Sequence, residues 1–235
     1  MNAIILVGGL GSRLGRLTKN IPKPMLPIRR KPYLLHQLEY LYKNGFKNVI
    51  LAAGYKYNVL LDFFSNLDKK YEIPNLTFSI ENEPLGTGGA ILNALDKIDS
   101  DDIFVLNGDT FIDVDYKSFY EFHLNKKSQI SICVNYIKHS SRYGNIFFDD
   151  SFKLEKMTKE DCRNTYINSG NYLIKTSFLY QIRNKINKSF FSFEEKVLKD
   201  MCEKIEIFCF CTSSFFIDIG VPKDYKLAQE ILFNE

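Results

Sequence analysis

Apolar and polar positions along the first half of the chain follow two alternating periods. Short apolar runs are typical of strands buried on both faces. They lie at residues 3–7, 48–53, 76–80 and 102–107. Between them, apolar residues recur three and four positions apart, which predicts helices. These helices cover 33–43, about 57–66 and 88–98. Strands that alternate with helices are typical of a parallel sheet covered on both faces. We therefore predict an α/β fold with a Rossmann-like, mostly parallel central sheet and helices on both faces.

The pattern changes after about residue 125, where short strands broken by turns replace the strand–helix alternation. They lie in QISICVNY, GNIFFDD, FKLEKM and GNYLIK, and they predict a small antiparallel annex to the main sheet. Ser192 and Glu195 have the spacing of a capping box, which predicts a helix from that point. Pro222 predicts the start of a last helix. We expect a single domain, 1–235, with one half over about 1–125 and the other over about 126–235.

Composition limits the classes of function. The chain has 31 basic and 28 acidic residues, a net charge of +3, and no basic run, which argues against a nucleic-acid partner. The apolar runs are too short for a signal sequence or a membrane span, so we expect a cytoplasmic protein without membrane association. The five cysteines lack a C-x-x-C spacing, which disfavours a structural zinc site.

The stretch GGLGSRLGRLTKNIPKP, residues 8–24, directly follows the first predicted strand. Open parallel sheets bind ligands at the carboxyl ends of their strands. Glycines there allow backbone N–H groups to approach an anion, and Arg13 adds a bidentate donor suited to phosphate. The spacing matches neither G-x-G-x-x-G nor the P-loop. The sequence therefore predicts a polyphosphate site of another kind.

With its continuation, this stretch reads G-G-x-G-x-R-L, then L-T, then P-K-P-M-x-P-I. It resembles the signature of sugar-phosphate nucleotidyltransferases, also called nucleotide-sugar pyrophosphorylases. The resemblance implies that the glycine backbone and Arg13 bind a nucleoside triphosphate, and that Lys23 contacts the phosphates being exchanged. Asp109 in VLNGDTF and Asp218 in FFIDIG resemble the two carboxylates that bind Mg²⁺ in the family. Arg13, Lys23 and Asp109 are thus the expected catalytic residues.

Further motifs extend the resemblance along the chain. ENEPLGTGGA resembles the loop that faces the base, and LEK, INSG and RYG resemble segments around the sugar phosphate. The expected nucleotide-binding residues are Leu6, Gly8, Gly9, Gly11, Ser12, Arg13, Glu81, Pro84, Leu85, Gly86, Thr87, Asn107 and Gly108. The expected sugar-phosphate-binding residues are Gly144, Glu155, Lys156, Asn168 and Gly170. The first half would then bind the nucleotide and the second half the sugar phosphate.

The implied reaction joins a sugar 1-phosphate to an NTP and releases pyrophosphate. A sugar phosphate is already an anionic nucleophile, which agrees with the absence of histidine from all of these motifs. Among the members of the family, the motifs are most similar to those of the guanylyltransferases that act on D-glycero-D-manno-heptose 1-phosphate for bacterial surface polysaccharide, so GTP is the preferred partner. Mannose-1-phosphate guanylyltransferases and glucose-1-phosphate thymidylyl- or cytidylyltransferases are alternatives. A homo-oligomer is compatible with the resemblance.

Two rival functions differ from this one in testable ways. A nucleotide-sugar glycosyltransferase would use a D-x-D metal motif, and residues 113–115 read Asp-Val-Asp. That tripeptide is predicted to begin a helix, and such enzymes lack the glycine-rich opening with Arg13 and Pro-Lys-Pro. A non-catalytic regulator on the same fold is expected to have lost phosphate or metal ligands, which this sequence retains.

Overall fold

The structure is a computed structural model that describes residues 1–140, 142–186 and 189–232. Its strands are β1 (Asn2–Leu6), β2 (Pro27–Ile28), β3 (Lys31–Pro32), β4 (Asn48–Ala53), β5 (Asn75–Ile80), β6 (Asp102–Asn107), β7 (Thr110–Ile112), β8 (Ile130–Ser140), β9 (Asn145–Phe148), β10 (Leu154–Thr158), β11 (Cys162–Lys175), β12 (Ile207–Thr212) and β13 (Phe216–Asp218). Its α-helices are α1 (Tyr33–Lys43), α2 (Tyr57–Ser65), α3 (Gly86–Ala94), α4 (Tyr116–Asn125), α5 (Thr176–Lys185) and α6 (Pro222–Ile231). Short 3₁₀ segments cover Ser12–Thr18, Lys23–Met25 and Leu95–Lys97, and a π-helix covers Glu194–Lys199.

A sheet of nine strands organises the molecule. Its first part has the order β5, β4, β1, β6, and all neighbours in it are parallel. Ile4 on β1 packs with α3, whereas Ala3 and Ile5 pack on the other face with α1 and α2. Successive side chains of a strand point to opposite faces, so a strand covered by helices on both sides is apolar throughout. The predicted α/β class with helices on both faces is confirmed.

The second half of the chain continues this same sheet. β11 is antiparallel to β6 through Asn171–Lys175, and on its other edge it pairs with β8, which in turn is parallel to β12. β9 and β10 extend the sheet beside the first part of β11. The expected annex is therefore antiparallel but joined to the central sheet. The sequence also predicted too short a strand at GNYLIK, because the polar residues before Gly170 hid the first half of β11.

Most helix boundaries agree with the sequence pattern. α1 covers the predicted 33–43, and Pro222 is the first residue of α6. α3 begins at Gly86, two residues before the predicted start, and a 3₁₀ turn continues it. The Glu195 backbone N–H donates to the Ser192 hydroxyl at 3.2 Å, as a capping box requires, although the helix that follows is a π-helix.

Two further features bear on the functional region. Among the residues that the structure describes, helices with the length and apolar character needed to cross a bilayer are absent. A separate two-stranded antiparallel sheet joins β7 to β13 and pairs Thr110 with Asp218. This small sheet lies next to the carboxyl end of β6, so it brings a late segment of the chain to the edge where the parallel strands end.

Candidate active site

A cavity of about 880 Å³ lies at the carboxyl ends of β1, β4, β5 and β6. The loops that follow all four strands contribute to its wall, as expected for an open parallel sheet. The residues expected to bind nucleotide all line it: Leu6, Gly8, Gly9, Gly11, Ser12, Arg13, Glu81, Pro84, Leu85, Gly86, Thr87, Asn107 and Gly108. Lys23 and Asp109 line it as well. The structure thus brings this predicted set together in one place.

The glycine-rich loop is held in a turn that needs glycine. Gly11 has φ +64°, in the left-handed region where a side chain is strained. The Thr18 hydroxyl donates to the Gly11 carbonyl at 3.1 Å, and the Tyr55 hydroxyl donates to the Thr18 carbonyl at 3.1 Å. These bonds fix the loop against the segment after β4. The segment Gly54–Asn58 lines the cavity too, and sequence reasoning missed it although it follows a strand end.

Asp109 and Asp218 are brought to one place by the pairing of β7 with β13. The Ile219 backbone N–H donates to the Asp109 carbonyl at 3.0 Å. The Gly220 N–H donates to Asp218 Oδ1 at 2.6 Å, which holds that carboxylate in a tight turn. The two carboxylates come from distant parts of the sequence, yet they meet beside the glycine-rich loop.

Each of these carboxylates has a basic partner. Lys23 forms an ion pair with Asp109, and Arg142 lies 3.2 Å from Asp218. Burial raises the pKa of Asp218, and the negative charge of Asp109 raises it further. Two neighbouring carboxylates at the edge of a cavity form a site suited to a cation.

This pair fits Mg²⁺. That ion is bound through one or two carboxylates, with phosphate oxygens and water completing the shell. Among the described residues there is no cluster of three or more His, Cys, Asp or Glu side chains that would form a complete protein cage. Asp109 and Asp218 could hold a divalent ion together with the phosphate oxygens of a ligand.

Glu81 lines the cavity beside the start of the glycine-rich loop. Its Oε2 accepts from the Leu85 backbone N–H at 3.3 Å, and its side chain packs close to Gly8 and Gly54. Burial raises the pKa of this half-buried carboxyl. Neither of its oxygens forms an ion pair in the part of the chain that the structure describes. The carboxylate therefore retains acceptor capacity for a ligand in the cavity.

A second cavity, of about 410 Å³, adjoins the first, and both are lined by Arg13 and Asn107. Gly170, at φ +74°, lets the backbone of β11 pass close to the Asn107 amide, where any side chain would clash. Asp218 faces this second cavity, and Asp109 faces the first. The boundary between the cavities is thus where both carboxylates and Arg13 lie.

Gly144, Asn168 and Gly170 line the second cavity as expected, but Glu155 and Lys156 do not. Both of these side chains are exposed near the start of β10. Only the far end of that strand, at Met157 and Thr158, and the following Lys159 reach the cavity. Glu155 and Lys156 were predicted from the resemblance of LEK to a family motif. The direction of β10 places Lys159 at the cavity and leaves these two residues outside it.

The sequence analysis placed the RYG segment around the sugar phosphate but gave only its Gly144 as a binding residue, and it did not name Tyr172 or Glu194. Arg142 and Tyr143 precede Gly144, and the guanidinium lies over the tyrosine ring at 4.6 Å from its centroid. Tyr172 and Glu194 line the cavity too. Tyr172 follows Gly170 by two positions and could have been found from the strand's alternation. Glu194 carries no motif of its own.

The histidines lie elsewhere, as the motifs implied. His36 Nε2 is 3.2 Å from the Ile28 carbonyl, and His123 and His139 face Asp102 and Asp161. None of the three lines either cavity. An imidazole base therefore faces neither cavity.

The Asp-Val-Asp tripeptide has a structural role. Asp115 is the N-cap of α4 and accepts from the Ser118 backbone N–H at 3.0 Å. Asp113 accepts from the Tyr40 hydroxyl at 2.8 Å. Neither lines a cavity, so the motif expected of a nucleotide-sugar glycosyltransferase is used here to begin a helix.

Comparison with known families agrees with this geometry. A family model described as nucleotidyl transferase matches residues 2–235. The chain belongs to this family. Membership confirms the class of enzyme that the motifs implied, and it places the glycine-rich loop and the carboxylate pair in a family that transfers nucleotidyl groups.

Two relatives match the chain over nearly its whole length. A D-glycero-alpha-D-manno-heptose 1-phosphate guanylyltransferase of Aneurinibacillus thermoaerophilus is 37% identical over 232 residues, covering 99% of this chain and 98% of the relative. A guanylyltransferase of the same name from Campylobacter jejuni subsp. jejuni is 41% identical over 232 residues, covering 96% and 97%.

The fold of the chain is also similar to that of a solved structure. HddC from Yersinia pseudotuberculosis is 36% identical, covers 97% of this chain and 98% of its own, and superposes with a TM-score of 0.85. The same protein in complex with GMP-PN superposes with a TM-score of 0.84. The fold is therefore shared with a protein that has been solved with a guanine nucleotide.

Proposed function

We propose that this chain joins D-glycero-α-D-manno-heptose 1-phosphate to GTP, giving GDP-heptose and pyrophosphate. The observation that carries this proposal is the pair of heptose 1-phosphate guanylyltransferases that match it at 37% and 41% identity over almost their full length. The product would supply bacterial surface polysaccharide. The reaction would take place in the cytoplasm, because the nucleoside triphosphate is available there.

Glu81 supports the choice of GTP. Guanine presents two adjacent donors, N1–H and the 2-amino group, and an ionised carboxylate accepts at both of its oxygens. Glu81 lies in the wall of the larger cavity at the loop Pro84–Thr87, far along the chain from the phosphate loop. Other bases lack that pair of neighbouring donors, so this carboxylate favours guanine over them.

The reaction needs alignment of two anions. An oxygen of the sugar phosphate attacks the α-phosphorus of the triphosphate, and the bond from that phosphorus to the bridging oxygen breaks. Pyrophosphate leaves with the bond's electron pair, and no proton has to be removed from the nucleophile. The boundary between the two cavities, where Arg13 and Asn107 face both, is the position for this exchange.

Arg13 and Lys23 supply fixed positive charge at this boundary. Lys23 is buried and its ammonium is held by Asp109, so its position is set before any ligand arrives. Arg142 adds a third cation beside Asp218. When bound by Asp109 and Asp218, Mg²⁺ would neutralise the phosphate oxygens and allow the two anions to approach. Preorganised charge of this kind is the main source of catalysis in phosphoryl transfer.

The proposal is tested by measuring pyrophosphate release with four NTPs and a panel of sugar 1-phosphates. The panel contains D-glycero-α-D-manno-heptose, mannose and glucose 1-phosphates, each with and without Mg²⁺. We expect the highest kcat/KM for GTP with the heptose and no turnover without a divalent ion. Highest activity with dTTP or CTP and glucose 1-phosphate would overturn the proposal. If the protein released no pyrophosphate from any of these mixtures but consumed an added nucleotide sugar, it would instead be a glycosyltransferase.

Glu81→Gln should weaken the recognition of guanine. The amide keeps the shape of the side chain but offers one acceptor where the carboxylate offers two. A bidentate contact to a base is worth about 1–3 kcal/mol, so KM for GTP should rise by about 5- to 150-fold. ITP, which lacks the 2-amino group, provides the comparison. The wild type should prefer GTP over ITP, and the variant should accept both about equally.

The same residue predicts a pH dependence. The raised pKa of Glu81 means that this carboxyl takes up a proton at a higher pH than an ordinary glutamate. A protonated carboxyl accepts poorly, so KM for GTP should rise as the pH falls through that raised value. KM for ITP should rise less. Glu81→Gln, which has no proton to bind, should lose this difference, and an unchanged difference would contradict the role of Glu81.

Lys159→Ala should weaken binding of the sugar phosphate more than Lys156→Ala does. Lys159 directly follows β10 and lines the second cavity, where its Nζ lies 2.7 Å from Glu195 Oε1, whereas Lys156 lies on β10 outside the cavity. Because Lys159 is largely exposed, its contact is screened by solvent, and we expect KM for the sugar 1-phosphate to rise only about three- to tenfold. Lys156→Ala is the matched control and should stay within about twofold. The reverse ranking would restore the Glu155–Lys156 assignment.

A further inference from the structure

The walls of the two cavities touch through a direct side-chain contact. Thr87 lines the first cavity, where the nucleotide is proposed to bind (the nucleotide cavity), and Glu194 lines the second, where the sugar phosphate is proposed to bind (the sugar cavity). The Thr87 hydroxyl donates to Glu194 Oε2 at 2.6 Å, and it accepts from the Phe193 backbone N–H at 2.8 Å. Both hydrogen-bonding functions of this hydroxyl are thus directed at the segment that carries Glu194. A residue of the base loop is therefore tied to a residue of the sugar wall.

The other oxygen of Glu194 continues the connection. Its Oε1 accepts from the Tyr172 hydroxyl at 3.3 Å, and that hydroxyl accepts from Asn168 Nδ2 at 2.9 Å. The Ser192 hydroxyl also donates to Oε2, at 2.8 Å. Tyr172 and Asn168 both line the sugar cavity. Glu194 thus receives donors from both sides of the boundary.

Each hydrogen bond in this network has a defined donor and acceptor. Asn168 donates to Tyr172, Tyr172 donates to Glu194, and Thr87 donates to Glu194 from the opposite side. Tyr172 is fully buried, and burial together with the charge of Glu194 raises the pKa of its hydroxyl. The phenol therefore stays protonated and keeps this direction.

The backbone reinforces the side-chain connection. The Gly88 N–H donates to the Phe191 carbonyl at 3.0 Å, and the Phe191 N–H donates to the Leu85 carbonyl at 3.0 Å. The Phe191 ring packs against Gly88, where even a methyl group would collide with it. The loop that would face the base and the segment that carries Glu194 are therefore held to each other at several points.

We propose that Glu194 is a positioning residue that couples the two substrate sites. Nucleotide bound against Pro84–Thr87 restrains that loop, and the existing hydrogen bonds of Thr87 to Glu194 and to the Phe193 N–H transmit this order to Tyr172 and Asn168 in the sugar cavity. Binding of nucleotide therefore raises the affinity for the sugar phosphate, and by linkage the sugar phosphate raises the affinity for nucleotide by the same factor. This inference rests on the proposed function for the identity of its two ligands.

The test is calorimetric binding of D-glycero-α-D-manno-heptose 1-phosphate to the full chain in Mg²⁺. Binding is measured alone and with a saturating GTP analogue whose α,β-bridge cannot be cleaved. We expect the analogue to tighten binding of the sugar phosphate at least fivefold in the wild type. In Glu194→Ala, the analogue should change the Kd for the sugar phosphate by less than twofold. Glu194→Gln, which keeps its hydrogen bonds by rotation of the neighbouring hydroxyls, should retain most of the factor.

Control variants separate coupling from other roles of Glu194. Glu203→Ala removes an exposed carboxylate outside both cavities and should leave the factor unchanged. If thermal unfolding shows that Glu194→Ala is not folded, Thr87→Val takes its place. It removes the hydrogen bond from Thr87 to Glu194 with little change in shape, and it should abolish the tightening of sugar-phosphate binding by the GTP analogue. A residue that only contacts the sugar would weaken binding of the sugar phosphate in the absence of nucleotide but leave the factor intact.

The possible outcomes separate this inference from the proposed function. A wild type that binds neither ligand would overturn the proposed function and the inference with it. A wild type that binds both ligands without coupling would overturn the inference alone. Coupling that survives in Glu194→Ala, or in Thr87→Val where that variant replaces it, would also overturn the inference alone.

Discussion

Lys23→Met should lower kcat about 10²- to 10³-fold and change KM for GTP much less. Removing one preorganised donor from a site of developing charge typically has this effect. Lys23 is buried at the end of the glycine-rich stretch, and it directs its ammonium at Asp109 on the boundary between the cavities. The measurement is pyrophosphate release under saturating substrates. Activity within about fivefold of the wild type would remove Lys23 from the catalytic residues.

Lys19→Met is the matched control. Lys19 lies in the same stretch, but its side chain is exposed and lines neither cavity, so its kcat should be unchanged. A second readout does not depend on turnover. Without Lys23, Asp109 loses its cation beside Asp218, so the variant should unfold at a lower temperature in a chelator. Because a bound cation stabilises only the folded state, Mg²⁺ should raise the midpoint of Lys23→Met more than that of the wild type.

Asp109→Asn should lower kcat about 10³-fold and raise the Mg²⁺ concentration needed for half-maximal activity at least tenfold. The amide has the same shape as the carboxylate, but it lacks the charge that a hard divalent ion requires. Asp109 lies between the phosphate loop and the turn that carries Asp218. Initial rates over a Mg²⁺ titration provide the measurement, and Asp218→Asn should shift the same titration in the same direction.

Asp113→Asn is the control, and it also tests the glycosyltransferase alternative. Asp113 belongs to the Asp-Val-Asp tripeptide but contacts Tyr40 rather than a cavity. The variant should keep both kcat and the Mg²⁺ requirement of the wild type. A larger loss in Asp113→Asn than in Asp109→Asn would mean that the metal site has been assigned to the wrong carboxylate.

Much of the fold could be predicted because its signals are local. Buried parallel strands and the helices between them each carry their own period, and α1 begins and ends where that period does. β11 shows the limit of such signals. Its first half, from Cys162, is largely polar or partly exposed, and its pairing with β8 and β9 makes it a strand. Pairing between distant segments leaves little trace in a single sequence.

The two halves of the site differ in the same way. Residues expected to bind nucleotide, such as Gly8 and Glu81, lie just after strands, so the position of each strand locates them. For the sugar cavity, Glu155 and Lys156 were predicted because they match a sequence motif. The direction of β10, which the motif does not give, decides which residues reach the cavity. Glu194 could not be predicted, because its role arises from contacts with Thr87 and Tyr172 that span more than twenty residues each.

The ladder between β7 and β13 has a consequence for the order in which the molecule becomes active. It joins Asp109 to Asp218 across more than a hundred residues of sequence, whereas the phosphate loop and the base loop lie within the first ninety. Contacts of such long range form late in folding because closing a long loop is entropically unfavourable. The carboxylate pair therefore comes together only after the segment that carries Asp218 has been made and has paired with β7.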